Sequence, residues 1–338
     1  MRTAIYGCGA MGTVLGAFLN RGGARVDLID SYGEHVKALN EKGAALVGFE
    51  NFTQPVHALL PEQMQGVYDL VILMTKQTAN QAAFAKIAPH VGAGSAVLTL
   101  QNGVPEPGVS ACFGEDRTLG GTIEWGATFR GPGVSEVTQP LTGDYVYFNI
   151  GTVSGVENDR VRAAAGLLRL MGPTSINPNL MAARWSKLIW NCGMSGMSAA
   201  LRTTFGGVLD SPKAMVQVGR ICAELGQVCK AAGQDFDETE LPGVNDLMKR
   251  GGLETERAMS QVFAQAYVGL RTAKASMLQD LEHGRITEVE MINGFVGAQG
   301  RRWGVPTPIN DLVTALVHEM EGAQAAPATQ ALLARFPD

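Results

Sequence analysis

The stretch TAIYGCGAMGTVLGAFLNRGG, residues 3–23, passes from a short apolar run through a glycine cluster into a helical pattern. Met11, Val14, Leu15, Phe18 and Leu19 recur at helical spacing, and Gly22-Gly23 supplies a stop. Between strand and helix, Gly7-Cys8-Gly9-Ala10-Met11-Gly12 fits G-x-G-x-x-G. That spacing alone is common in ordinary turns. Placed after a strand and at the mouth of a helix, it is the fingerprint of dinucleotide binding. Gly7 permits the tight turn, Gly9 admits a pyrophosphate to the backbone, and Gly12 lets helix and strand approach. Cys8, Ala10 and Met11 complete the loop, whose free N–H groups and helix dipole suit phosphate.

The pattern continues outward. ARVDLID (24–30) reads as a second strand, followed by a helical segment holding His35, Val36 and Leu39. DLVILMTK (69–76) and SAVLTLQNG (95–103) are continuous apolar runs, as expected of parallel strands covered on both faces. AAFAKIAPHV (82–91) separates them as a helix. Alternating strands and helices predict a parallel, Rossmann-type α/β sheet with right-handed crossovers. GGTIEWGATFRGPGVSEV (120–137) and DYVYFNIG (144–151) predict an antiparallel extension of that sheet. A helix is expected over 157–171, and SINPN (175–179) reads as a boundary. Helical patterns then cover 181–201, 211–233, 253–271, 276–299 and 309–320. The expectation is a dinucleotide-binding domain over 1–178 and an all-α substrate and catalytic domain over 179–338.

The 338 residues are 46% hydrophobic and 17% charged, with a net charge of −5, which argues against nucleic acid or an anionic membrane as the main partner. Five cysteines without paired metal-ligand spacing read as free thiols, and no metal site is expected. The start leads directly into a strand, with no secretory signal and no apolar run of membrane-spanning length, so the expected location is cytoplasmic.

Asp30 ends the second strand, 18 residues after Gly12. A carboxylate there accepts hydrogen bonds from ribose hydroxyls and repels a 2′-phosphate, unless it serves only as a turn or cap residue. Ser31–Val36 contains neither lysine nor arginine, which favours NADH over NADPH. Lys76 and Asn102 follow the next two strands, at the sheet edge where ligands bind in open α/β folds.

In the helical half, RWSKLIWNCGMSGMSAAL (184–201) keeps one ammonium in an apolar run. Positions 187, 191 and 195 share a helical face, aligning Lys187, Asn191 and Ser195. In SMLQDLEHGRITEVEMING (276–294), helical spacing sets Glu288 with Leu281, Met291, Ile292 and Phe295, an apolar face on which a carboxylate needs a partner or ligand. Glu290 falls on the opposite side.

Taken in order, GCGAMG, LMTKQT, LQNGV, WSKLIWN and SMLQDLEHGRITEVEMING resemble the ketopantoate reductase (2-dehydropantoate 2-reductase) family over nearly the whole chain. The resemblance implies NAD(P)H-dependent reduction of a 2-oxo acid to its 2-hydroxy acid, in pantothenate biosynthesis if the substrate is ketopantoate. It implies that Lys187 is the catalytic lysine and Glu288 the essential glutamate, which also meets the cofactor. Asn191 and Ser276 fall at substrate-binding positions, with Ser195 on the same line. Lys76, Asn102 and Ala127 fall at cofactor-contacting ones, Asn102 serving substrate as well. The chain departs from the family pattern at Ser195 and Ala273, both often asparagine, at Phe205 in place of a polar contact, and at Asp30, since the family default is NADPH. The first three departures concern the identity of the 2-oxo acid more than the chemistry, and Asp30 points to NADH. A β-hydroxyacid dehydrogenase would lack the 276–294 stretch, and a non-catalytic dinucleotide sensor would have no use for both Lys187 and Glu288. The helical half carries enough apolar surface for a homodimer.

Overall fold

A computed structural model describes residues 1–142, 145–239, 241–323 and 327–338, so Asp144 of the 144–151 stretch lies outside the described residues. The chain divides into two compact units, Met1–Leu180 and Met181–Asp338.

Among its described residues the first unit contains β1 (Thr3–Tyr6), α1 (Ala10–Arg21), β2 (Val26–Ile29), α2 (Gly33–Lys42), β3 (Ala44–Gly48), β4 (Phe52–Gln54) and β5 (His57–Leu59). It continues with β6 (Tyr68–Leu73), α3 (Asn80–Ile87), β7 (Val91–Thr99), α4 (Glu106–Phe113), β8 (Thr118–Ile123), β9 (Ala127–Gly131), β10 (Val134–Val137), β11 (Phe148–Thr152), α5 (Asp159–Leu168) and β12 (Thr174–Ile176). The main sheet has the order β12-β11-β8-β7-β6-β1-β2-β5. From β5 to β8 the strands are parallel, in the doubly wound order of a dinucleotide fold. Alternation along the strands divides the core. Ile5, Leu28, Ile72 and Leu98 join Leu15 and Leu19 of α1 on one face, while Tyr6, Val71, Leu73 and Val97 join Ile87 and Val109 on the other. Each such side chain contributes about 1.5–3 kcal/mol by leaving water, so both faces hold the sheet flat against its helices.

The antiparallel extension consists of β11, which pairs with β8, and β12, which runs parallel to β11 at the sheet edge. β9 and β10 depart from the expectation. They belong to a second, four-stranded sheet of order β4-β3-β10-β9, which packs on α1. The short, half-exposed strands β3 and β4 show no clean alternation, which is why residues 44–54 carry little strand signal in the sequence. Thus α1 is covered by the main sheet on one side and this small sheet on the other.

Gly12 marks the closest approach. A Cβ there would lie 2.3 Å from the Gly7 carbonyl oxygen, a rigid backbone atom. Gly12→Ala is therefore expected to lower stability by about 1–3 kcal/mol through overpacking. Equilibrium urea unfolding of the variant checks this, and an unchanged midpoint would mean that helix and loop separate without cost.

The second unit is helical: α6 (Leu180–Trp190), α7 (Gly196–Ala200), α8 (Phe205–Leu209), α9 (Pro212–Ala231), α10 (Val244–Arg250), α11 (Gly252–Ala266), α12 (Ser276–Glu282), α13 (Asn293–Trp303), α14 (Pro308–Met320) and α15 (Thr329–Leu333). α9 is the central rod, against which α10, α11, α13 and α14 pack. Two expectations change here. The 181–201 helix is interrupted by a π turn over Asn191–Ser195. The 276–299 segment is two helices, because Gly284 at φ +65° ends the first and Ile292 (φ −116°, ψ −89°) precedes the second. Cys8, Cys192, Cys222 and Cys229 are buried free thiols, and Cys112 is an exposed one. Among the described residues no helix is long and apolar enough to cross a membrane.

Candidate active site

The first unit carries the glycine loop, residues 7–12. Gly7 turns at φ +100°, and its N–H donates to the Ile29 carbonyl at 2.8 Å. A Cβ on Gly7 would stand 2.5 Å from the Thr75 nitrogen. The protein's own backbone thus demands glycine at 7 and 12. Around a Cβ at Gly9 there is no atom within 4 Å, so nothing inside the chain requires glycine there. Open space at the middle glycine fits a pyrophosphate lying against the backbone. Ala10 and Met11 begin α1, whose first N–H groups lack intrahelical partners.

Lys76 and Asn102 stand on neighbouring loops beyond β6 and β7. Gln77 Nε2 donates to the Asn102 carbonyl at 2.6 Å, and Gln101 Nε2 donates to the Thr75 carbonyl at 2.8 Å and Asn80 Oδ1 at 2.6 Å. These two glutamines stitch the loops together. They were missed in the sequence because glutamine after a strand carries no distinctive spacing. Asp30 follows β2, and its Oδ1 accepts the Tyr32 N–H at 2.9 Å, so the turn role is real; Oδ2 has no donor among the described residues. Tyr32 is exposed, and its hydroxyl donates to Glu34 Oε2 at 2.8 Å. Ala127 opens β9 in the small sheet, opposite Val137.

In the second unit, Lys187, Asn191 and Ser195 are half-buried, whereas Leu188, Ile189, Cys192, Gly193 and Met194 between them are buried. The π turn keeps the row aligned. Four residues overshoot one α turn, but they fall short of the wider i→i+5 turn, so Ser195 swings back toward the azimuth of Lys187. Gly193 lets the Phe263 ring against the turn, where a Cβ would meet it at 2.7 Å. Asn293 Nδ2 donates to the Cys192 carbonyl at 3.2 Å, a carbonyl of the π turn. Asn191 Nδ2 is buried and has no acceptor among the described residues. An unmet buried donor costs about 1–3 kcal/mol, and a site built to hold a ligand accepts that cost.

Ser276 is the first residue of α12, exposed, on a helix that packs against the π turn and α7. Glu288 is buried and Glu290 exposed, the contrast expected from spacing, but its origin is different. Glu288 lies in a non-helical link rather than on a continuous helix face. The link is pinned from α14's end: the Thr287 N–H and hydroxyl both donate to Glu321 Oε1, at 2.8 and 2.7 Å. His318 bridges Glu321 Oε2 at 2.9 Å and Glu290 Oε2 at 3.1 Å. Burial works against the carboxylate of Glu321, but the bonds from Thr287 and His318 outweigh it and hold that group below its ordinary range.

Beside the π turn stands an aromatic cluster. Trp190 meets Phe263 at 4.9 Å between centroids, Phe263 stacks on Tyr267 at 5.8 Å, and Phe205 meets Tyr267 edge-on at 4.9 Å. Burial pushes the Tyr267 phenol up to about 12.

A doubly wound sheet with its glycine loop, joined in one chain to a helical unit bearing an ammonium, an amide and a hydroxyl in line, defines a two-unit dinucleotide-binding α/β protein. Residues 3–151 match the family described as "Ketopantoate reductase PanE/ApbA", and residues 179–321 match its C-terminal counterpart. The chain belongs to the ketopantoate reductase family, and it is a ketopantoate reductase-like oxidoreductase dependent on a nicotinamide dinucleotide. It is 29% identical over 330 residues to the 2-dehydropantoate 2-reductase of Lactococcus lactis subsp. lactis, covering 95% of this chain and 98% of that one. Among solved structures, D-mandelate dehydrogenase with NADH and anilino(oxo)acetate is 25% identical with a TM-score of 0.79, covering 95% and 98% of the two chains. The 2-dehydropantoate 2-reductase from Geobacter metallireducens GS-15 is 27% identical with a TM-score of 0.78, covering 94% and 99%.

Proposed function

We propose that this protein reduces a 2-oxo acid to the 2-hydroxy acid with NADH, and that its preferred substrate carries a bulky apolar substituent rather than that of ketopantoate. The observation that carries the reading is the buried, acceptor-less Asn191 Nδ2, one turn from Lys187 on the half-buried face of the same helix. A ketone oxygen or substrate hydroxyl is the acceptor such a donor lacks. By the family resemblance Ala273 and Phe205 stand where polar side chains are common and Ser195 where a longer amide is, and the half-buried Trp190 and Tyr267 rings, backed by buried Phe205 and Phe263, provide apolar surface nearby. The similar D-mandelate dehydrogenase, solved with NADH and anilino(oxo)acetate, supports the same direction.

The loop from Gly7 to Gly12, Lys76, Asn102, Ala127 and the Asp30 carboxylate hold the dinucleotide in this reading. When bound, reduced nicotinamide supplies the hydride. Lys187 donates from Nζ to the 2-oxo oxygen, stabilises the charge that develops there and delivers the proton, then regains one from solvent. Asn191 fixes the same end of the substrate. Ser195 and Ser276 orient its carboxylate, Asn102 is a further substrate contact by the family resemblance, and Glu288 holds the lysine and substrate in register.

NADH consumption against phenylglyoxylate, 3-methyl-2-oxobutanoate and ketopantoate tests the proposal. Phenylglyoxylate is expected to exceed ketopantoate in kcat/KM by at least ~10-fold, the worth of one mismatched buried polar contact. The reverse ranking overturns the substrate preference and leaves the reductase. No turnover with any of them overturns the reductase itself and favours a dinucleotide sensor.

A further inference from the structure

His35, the third residue of α2, is 1% exposed and belongs to none of the groups assigned above. Its two ring nitrogens are both committed. Gly133 N–H donates to Nδ1 at 2.9 Å, so Nδ1 carries no proton and the ring is the neutral tautomer with its hydrogen on Nε2. Nε2 lies 2.7 Å from the Cys8 carbonyl and 3.1 Å from the Thr13 hydroxyl, which itself donates to the same carbonyl at 2.7 Å. The imidazole therefore spans from the x of G-x-G to the β9–β10 hairpin, the element that begins with Ala127.

The consequence for the loop follows from peptide geometry. In a planar trans peptide the C=O and the next N–H point in opposite directions. Two donors on the Cys8 carbonyl fix that plane, so the Gly9 N–H is turned away from His35. Gly9 is exposed, its N–H makes no hydrogen bond among the described residues, and the space beside it is open. We propose that His35 is a positioning residue for the dinucleotide: as a neutral ring it clamps the Cys8 carbonyl to the Gly133 N–H, and its protonation releases the loop and weakens cofactor binding. The proposal rests on the reading of Gly7–Gly12 as the nucleotide loop.

Protonation puts a hydrogen on Nδ1, where it faces the Gly133 N–H, so donor meets donor and that bond is lost. The groups around the ring are the Asp30 carboxylate after β2, the stacked Tyr32 phenol on the turn into α2, and the uncharged Phe129 ring of β9. Burial lowers the imidazole's affinity for a proton, and it outweighs both the Asp30 charge and the Cys8 carbonyl, which favour protonation. Above the ordinary histidine range the ring is neutral whether folded or unfolded. As pH falls through that range the unfolded chain takes up the proton first, so stability and cofactor affinity both decline on the acid side.

The test is the NADH dissociation constant, by fluorescence, from about pH 5 to 8, with the Gly133 amide followed by NMR in the protein without cofactor. For the unaltered chain, affinity is expected to be flat above pH 7 and to fall about tenfold toward pH 5, the scale of one lost hydrogen bond. The Gly133 amide resonance should move over the same interval. His35→Asn keeps an acceptor for Gly133 but cannot reach Cys8; His35→Gln keeps a donor for Cys8. His35→Asn should bind NADH about tenfold more weakly at every pH and His35→Gln nearer normally, both without the acid limb. An acid limb that persists in both variants, or a Gly133 resonance unmoved by pH, overturns the clamp. If NADH fails to bind the unaltered chain at pH 7.5 while Gly133 still titrates with His35, the clamp stands as a structural contact and the nucleotide reading fails.

Discussion

Replacing Lys187 by alanine is expected to lower kcat by about 10²–10⁴, the range contributed by a positioned proton donor. The fold should survive, because alanine is the better helix former and position 187 is half-buried beside a buried apolar row. NADH affinity should be unchanged to within a factor of about two, since the roles proposed for Lys187 lie at the substrate carbonyl. Lys187→Arg distinguishes charge from proton transfer. Guanidinium keeps the positive charge and the donors but does not give up a proton. If delivery of the proton is the main contribution, arginine restores little; if charge stabilisation is, arginine restores much of the loss. Near-normal turnover of the folded alanine variant would remove Lys187 from the reaction.

NADH is expected to bind about 10–100-fold more tightly than NADPH, the worth of a hydrogen bond to a charged group at 1.5–3 kcal/mol. In the proposed reading Asp30 Oδ2 accepts from the ribose hydroxyls, and Glu34, which takes the Tyr32 hydroxyl, adds a second carboxylate in the same turn. A 2′-phosphate would meet both. Lys37, the first cation along α2, faces Glu41 at 3.9 Å instead. Asp30 also closes its own turn through Tyr32, so alanine would confound two effects. Asp30→Asn keeps the turn and removes the charge; it should narrow the preference to within about tenfold by weakening NADH and admitting NADPH. Binding titrations with both cofactors decide the matter, and an unaltered chain that binds NADPH as well as NADH would leave Asp30 a turn residue only.

The glycine loop was legible because its constraints are local. Gly7 and Gly12 are required within a few residues of each other, and the strand before and helix after are read from periodicity alone. The row Lys187–Asn191–Ser195 was legible for the same reason, although the π turn that keeps Ser195 in line leaves no mark in composition. The small sheet was hidden because β3 and β10 pair across more than eighty residues, with burial too uneven to alternate. The burial of Glu288 was expected for the wrong geometric reason. Periodicity ran through Gly284 as though the helix continued, while the carboxylate's burial comes from a link held by Thr287 and Glu321, thirty-four residues apart. His35 was read only as part of a helical segment, since its two shortest hydrogen bonds are to backbone atoms and backbone carries no sequence signal.

The central claim, that this chain moves a hydride to a 2-oxo carbon, is tested most directly by the fate of a label. With NADH carrying deuterium at nicotinamide C4 on the transferred side, and phenylglyoxylate as acceptor, the product should be the 2-hydroxy acid with one deuterium at C2 for each NADH oxidised. Oxidation of NADH with no deuterium at C2, or tight NADH binding with no product at all, would contradict it.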